Sequence, residues 1–158
     1  AKTKQDAEKL CLEKNKTIVR ASIVYGPGQK GKMLIPSIIQ HIEKGNSSFK
    51  MTKGDQERDF IFITDLTEAI IKIMDNNHTG IFNLGHGKGH KLNELINIVK
   101  ELIPSFHVDN SIPYRENEMM QYLLDISKAK SVLDWEPKTN LKQGLAKTFK
   151  VPTSSPEL

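Results

Sequence analysis

The chain has 158 residues, 37% of them apolar, enough for one domain with a real core. No apolar run approaches the ~18 residues of a membrane span, and its single cysteine, Cys11, cannot form an internal disulfide. The net charge of +4 comes from 23 basic residues scattered among 19 acidic ones, as in Asp55-Gln56-Glu57-Arg58. That mixing reads as solvated helix faces and argues against the continuous basic stripe of a nucleic-acid groove, while a modest positive bias suits a phosphate-bearing small molecule.

In chain order, residues 1–14 are rich in Lys, Ala, Glu and Leu, with Ala7, Leu10 and Cys11 at helical spacing. They predict an amphipathic helix whose apolar side buries Cys11 as a core thiol. The chain opens inside this pattern without an initiator Met, so a piece cut from a longer chain is expected. Residues 17–25 are mostly β-branched or aromatic and stop at Gly26-Pro27-Gly28. This reads as one buried strand entering a sharp loop. Ligands of open α/β sheets sit beyond the carboxyl ends of such strands, which makes 26–32 the first place to look for a site.

Residues 33–44 place Leu34, Ile38, Ile39 and Ile42 on one helix face, with Pro36 in the first turn and Gly45 as the stop. Two short strands, 48–52 and 58–63, are separated by the turn cluster Lys53-Gly54-Asp55-Gln56 and read as a hairpin. Asp65 with Glu68 three residues on forms a capping-box variant before a helix over 66–74. A short strand over 80–85 leads through a glycine-rich loop to a strong helix over 92–103, ended by Pro104. Residues 106–108 can form another short strand, and 112–124 is irregular. A helix carrying Ala129, Val132 and Leu133 follows Asp125, and Thr139 or Asn140 caps a last one over 141–149. Residues 151–158 have the composition of a flexible tail. Four or five short strands alternating with helices indicate α/β or α+β architecture.

The loop Gly85-His86-Gly87-Lys88-Gly89-His90 has the position of a phosphate cradle. It lacks the third glycine of the dinucleotide fingerprint and any GK[ST] sequence, so a plain strand-to-helix connection is the better reading. His86 and His90 have no further His, Cys or carboxylate cluster nearby, and no metal site is expected. Arg58 leaves two readings open: a rigidly held fork for phosphate, or a surface ion pair with Asp55 or Glu57. Arg115 and Glu118 lie in a polar patch of the irregular stretch that more often marks a loop than a site. Lys4, one of many lysines on its helix, has no claim in isolation, and Trp135 reads as packing.

Five segments, KQDAEKLC (4–11), RASIVYGPGQ (20–29), RDFIFITDL (58–66), FNLGHGKGHKLNEL (82–95) and DISKAKSVLDWEPKTNLKQG (125–144), occur in this order. Together they resemble the C-terminal half of an extended short-chain dehydrogenase/reductase of the nucleotide-sugar epimerase/dehydratase type. The resemblance implies a family Tyr-x-x-x-Lys pair in which Lys4 is the lysine and the tyrosine precedes Ala1. In that role Lys4 binds the nicotinamide ribose and lowers the tyrosine's pKa, as a nearby cation does. Ala21 and Ser22 would pass near the nicotinamide, and Met33 and Leu34 would line the nucleotide site. Arg58 and Arg115 match the two arginines that grip the diphosphate. Glu118, at a position commonly Asp, could accept from a ribose hydroxyl. Ile23 stands where many relatives carry a sugar-contacting Asn, and Ile cannot make that hydrogen bond.

The fold implied is the C-terminal part of a Rossmann-type NAD(P)-binding α/β fold plus a small α+β substrate-binding domain. Residues 1–32 would belong to the first, and 33–150 mainly to the second, with a return strand and helix. The activity implied is that of an NAD-dependent UDP-glucose 4-epimerase-like enzyme, with a 4,6-dehydratase or a non-catalytic nucleotide-sugar-binding fragment as alternatives. The chain on its own, without the tyrosine and the dinucleotide loop, is not expected to turn over substrate. The expected partners are NAD and a nucleotide sugar, without nucleic acid or membrane, in a cytoplasmic protein that is a homodimer when intact.

Overall fold

The β-branched run that begins at Thr17 is two strands. In the computed structural model, which describes residues 2–150, β1 (Thr17–Ala21) lies parallel to β5 (Gly80–Leu84), with Val19 beside Phe82. After Ser22 the chain crosses to β2 (Ile23–Tyr25), which lies parallel to β4 (Glu57–Phe62), with Val24 beside Ile61. The Ser22 N–H still donates to the Leu84 carbonyl at 2.9 Å, so the parting takes a single residue. Residue types are alike on both sides of it, and periodicity alone cannot show a change of partner. The flexible tail expected over 151–158 lies outside the described residues.

The expectation of a buried strand is also corrected. Val19 and Arg20 are exposed, because among the described residues β1 pairs on one side only, with β5. The helix before it, α1 (Lys2–Glu13), buries no residue. Leu10 is 52% exposed and Cys11 only half-buried, so the expected core thiol is instead a flank residue. One thin two-stranded layer covers little of a helix, and Glu8 meets Arg20 as an exposed ion pair.

Two apolar cores follow from the parting. Tyr25, Phe60 and Phe62 pack with Ile35 and Ile38 of α2 (Leu34–Glu43), Leu95 and Val99 of α4 (Leu92–Leu102), and Leu141 and Leu145 of α6 (Leu141–Phe149). Phe82 and Leu84 pack with Leu66, Ala69 and Ile73 of α3 (Ile63–Asp75), Ala129 and Leu133 of α5 (Ser127–Leu133), and Trp135. β4 serves both, since side chains alternate along a strand: Phe60 and Phe62 enter the first core and Ile61 the second.

The expected hairpin does not form. β3 (Phe49–Lys50) runs parallel to β7 (Val108–Asp109), while β4 pairs antiparallel with β6 (Gly89–Lys91) and parallel with β8 (Gln121–Tyr122). The connecting segment docks on the start of α4 instead of folding back: Asn93 N–H donates to Gly54 O at 2.9 Å and Leu92 N–H to Gln56 O at 3.0 Å. Among the described residues there are eight strands, more than expected, because the extra ones are only two or three residues long. None of the described helices is long and apolar enough to cross a membrane.

Helix starts divide into one success and one correction. Asn140 Oδ1 accepts from Gln143 N–H at 2.9 Å and Gln143 Oε1 accepts from Asn140 N–H at 3.2 Å, a full capping box on α6. Asn140→Ala should therefore cost about 1 kcal/mol, read from the urea unfolding midpoint. Asp65, by contrast, does not cap α3, which already begins at Ile63. It lies in the first turn, 4% exposed, and accepts from Thr139 N–H at 2.9 Å and Thr139 Oγ1–H at 3.2 Å. A carboxylate near a helix N-terminus is favoured by the helix dipole, and here it also ties the segment before α6 to α3.

Candidate functional site

β2 ends in a tight turn. Gln29 N–H approaches Gly26 O at 3.4 Å across Pro27-Gly28, and Gly28 has φ +75°. Proline first and a left-handed glycine second are what a type II turn demands. The chain then returns as α2, whose first turn contains Ile35 and Pro36. Beside this turn, α2 and β4 lies a cavity of about 120 Å³ lined by Ile23, Val24, Gln29, Met33, Leu34, Ile35, Pro36, Arg58, Phe60 and Leu92.

Four of the residues assigned to substrate, Ile23, Met33, Leu34 and Arg58, thus share one lining. Arg58 is held on β4 with a side chain only 15% exposed. Its Nη1 donates to Glu57 O at 2.8 Å and its Nη2 to Met119 O at 2.6 Å, and Glu118 Oε1 stands 3.6 Å from Nη2. The ion pair with Asp55 or Glu57 is not what forms. Asp55 accepts from the Tyr114 hydroxyl at 2.7 Å and Glu57 from Gln121 Nε2 at 2.8 Å. Glu118 is outside the cavity lining and approaches it only through Arg58. Arg115 is exposed and outside the cavity lining, joined to Glu118 by the turn in which Glu118 N–H donates to Arg115 O at 3.1 Å.

The residues assigned to a cofactor lie elsewhere. Ala21 is half-buried and Ser22 is 8% exposed where β1 and β2 part, and Ser22 Oγ is buried without a hydrogen-bond partner. Lys4 is exposed on α1, outside the cavity lining. The hydrogen bond from Arg20 holds the nearby Glu8 carboxyl below its ordinary range, with charge from Arg20 and Lys4 adding.

The glycine-rich loop after β5 is already filled. His86 N–H donates to Asp59 Oδ1 at 2.7 Å and Gly87 N–H to Asp59 Oδ2 at 3.1 Å, and Asp59 is fully buried. The donors a phosphate would use are taken by the protein's own carboxylate, so the loop is a connection. Burial pushes the His86 imidazole down from its usual pKa, although the Asp59 charge pulls the other way. His90 Nδ1 lies 3.2 Å from Glu94 Oε2. Among the described residues no three His, Cys, Asp or Glu side chains gather to hold a metal ion.

Sequence reasoning passed over Asp59 and Gln29. Both stand inside the quoted motifs. The signal for Asp59 was a carboxylate at the inward end of an apolar strand; the signal for Gln29 was a polar residue closing a Gly-Pro-Gly turn.

Residues 14–148 match the family described as GDP-mannose 4,6 dehydratase. The chain belongs to that family. Within the surroundings of this dehydratase family, UDP-glucuronic acid decarboxylase 1 of Arabidopsis thaliana is 32% identical over 151 residues, covering 90% of this chain and 34% of the decarboxylase. The crystal structure of UDP-glucose 4-epimerase from Thermotoga maritima with UDP-glucose superposes with TM-score 0.77 at 27% identity, over 94% of this chain and 50% of the epimerase. A mutant UDP-glucuronic acid 4-epimerase from Bacillus cereus, in complex with UDP-4-deoxy-4-fluoro-glucuronic acid and NAD, superposes with TM-score 0.83 at 25% identity, again over 94% and 50%. The chain therefore spans about a third to a half of the length of these relatives. Its fold is that of the Rossmann-type α/β class to which they belong, and its motifs are those of the NAD-dependent nucleotide-sugar epimerases and dehydratases.

Proposed function

We propose that this chain is the substrate-binding, C-terminal part of an NAD-dependent nucleotide-sugar epimerase of the UDP-glucose 4-epimerase type, and that the cavity beside Arg58 receives the nucleotide sugar. The observation that carries this reading is a largely buried guanidinium, anchored by two carbonyls, in a lining that is otherwise apolar apart from Gln29. An apolar cavity alone suits any oily ligand. A planar cation fixed on a strand, with donors beyond the two already used, suits paired phosphate oxygens. Arg115 supplies the second diphosphate cation, and Glu118, already beside Arg58, accepts from a ribose hydroxyl.

The residues at the parting of β1 and β2 fit a nicotinamide cofactor. Ser22 Oγ is buried and lacks a partner, and Ala21 adds no bulk beside it. NAD bound there would supply a reversible hydride acceptor. Lys4 would hold its ribose and, by its charge, favour the ionised form of the motif tyrosine.

The family description and the decarboxylase match favour a second reading, in which the same site holds a nucleotide sugar that loses water or carbon dioxide. Calorimetry of the intact protein with UDP, UDP-glucose and UDP-glucuronic acid tests the site, and product analysis separates epimer, dehydrated sugar and decarboxylated sugar. Arg58→Ala should weaken UDP about thirtyfold, the equivalent of about 2 kcal/mol for hydrogen bonds to a charged group. Unchanged UDP affinity would remove Arg58 from the site.

A further inference from the structure

His90 stands beside Arg58, outside the cavity lining but on the cavity's face of the sheet. In the β4–β6 ladder the two residues are direct antiparallel partners, and side chains so opposed leave a sheet on the same face. Arg58 and Phe60, two apart on β4, both line the cavity, which makes that face the cavity's. The His90 side chain is 12% exposed, with Nδ1 3.2 Å from Glu94 Oε2 of α4. Its Nε2 has no hydrogen-bond partner among the described residues and is not buried, so a ligand can reach it.

The two ring nitrogens have different parts to play. A carboxylate only accepts, so Nδ1 carries the proton that faces Glu94, and Nε2 of the neutral ring is a bare lone pair. An ionised phosphate oxygen also only accepts. Nε2 can serve it only as an N–H, with both ring nitrogens protonated. The charged groups around the ring are Arg58 across the ladder, Glu94 from α4, and His86 and Lys88 from the loop before β6. The His86 ring stands 6.4 Å away. Glu57, Asp59 and Lys91 alternate onto the opposite face. Glu94 is thus the one anion beside the ring, and a cation there is opposed by Arg58 and Lys88 until a second anion arrives.

We propose, on the nucleotide-sugar reading of the cavity, that His90 is a further phosphate-binding residue, which takes up a proton from solvent at Nε2 when the diphosphate binds at Arg58. Arg58 is a permanent cation. His90 becomes one only with the ligand present, held by Glu94 at one nitrogen and by a phosphate oxygen at the other.

The test is calorimetric titration of the intact protein at about pH 6 and about pH 8, which bracket the usual titration of an imidazole. The ligand is whichever of UDP-glucose and UDP-glucuronic acid binds more tightly. Both stay fully ionised over that range, so any proton taken up belongs to the protein. Binding should be about tenfold tighter at the lower pH, as one charge-assisted hydrogen bond provides. Its heat should vary with the ionisation enthalpy of the buffer in the sense of proton uptake. His90→Phe, which keeps a ring and loses both nitrogens, should bind at both pH values as the unsubstituted protein does at the higher one. A pH dependence that is missing from the unsubstituted protein, or that survives His90→Phe, overturns the proposal and leaves the Arg58 site standing. Failure of the unsubstituted protein to bind either sugar nucleotide overturns the site itself. If His90→Phe does not fold, Glu94→Gln takes its place, at a side chain that is 55% exposed. It should weaken binding at the lower pH alone, and affinities equal to those of the unsubstituted protein at both pH values overturn the proposal.

Discussion

Asp59→Ala should lower the unfolding free energy by about 4 kcal/mol, read from the midpoint of guanidinium denaturation. The carboxylate is fully buried and receives the N–H groups of His86 and Gly87. Removing it abolishes two charge-assisted hydrogen bonds and leaves two donors without partners. Each orphaned donor costs roughly 1–3 kcal/mol, and a small cavity adds to the loss. Asp59→Asn keeps the volume and one acceptor oxygen, but turns an amide N–H toward the other backbone N–H. Its cost should be smaller, about 2 kcal/mol. An Asn variant as stable as the parent would show that the carboxylate does not hold the loop with both oxygens. The effect should reach the site, since Asp59 pairs with Gly89 and its neighbour Arg58 with His90 in the β4–β6 register.

The second large effect is expected outside the cavity lining, at Gly144 on α6. Alanine normally stabilises an exposed helix interior by about 1 kcal/mol over glycine. Here the sign should reverse. A Cβ at Gly144 would fall on the Tyr25 hydroxyl and 2.7 Å from its Cζ. Tyr25 is 1% exposed, with its ring edge-on to Phe62 at 5.5 Å and Phe60 at 6.2 Å, so it has nowhere to retreat. Overpacking of this kind costs about 3 kcal/mol. Tyr25→Phe removes the nearest atom, and in that background Gly144→Ala should cost at least about 1 kcal/mol less. Additive losses in thermal unfolding would mean that the clash is relieved by backbone movement instead. Burial, with the Asp65 charge adding to it, pushes the Tyr25 phenol well above its ordinary pKa, so the buried ring stays neutral and its hydroxyl stays in place.

The helices were the most legible part of this chain. Their apolar residues repeat with the helical period, and Pro36, Gly45 and Asn140 punctuate them as local rules require. Strand pairing was far less legible. Nothing in TIVRASIVY marks Ser22 as the residue where the partner changes, because each half is a good strand and the choice of neighbour is made by elements far along the chain, as where Thr17 pairs with Gly80. Local chemistry also misled where a longer-range partner outbid it. Asp65 has the spacing of a cap but is claimed by Thr139, and Lys53-Gly54-Asp55-Gln56 has the composition of a hairpin turn but is claimed by the start of α4. In the site, motif resemblance led to Ile23, Met33, Leu34 and Arg58, which do share a cavity. Gln29, which shares that lining, was missed because the neighbours that place it there, Arg58 and Leu92, are distant in the chain.

The parting at Ser22 makes a fork. One tine, β1, is seated with β5 beside the core of Phe82 and Leu84, and the other, β2, is seated with β4 beside the core of Phe60 and Phe62. Neither tine can swing shut without unpacking the core that grips it. The crotch of the fork closes over the unpartnered Ser22 hydroxyl, while the cavity along one tine is already formed before any ligand arrives. Binding at such a preorganised surface has little ordering entropy to overcome.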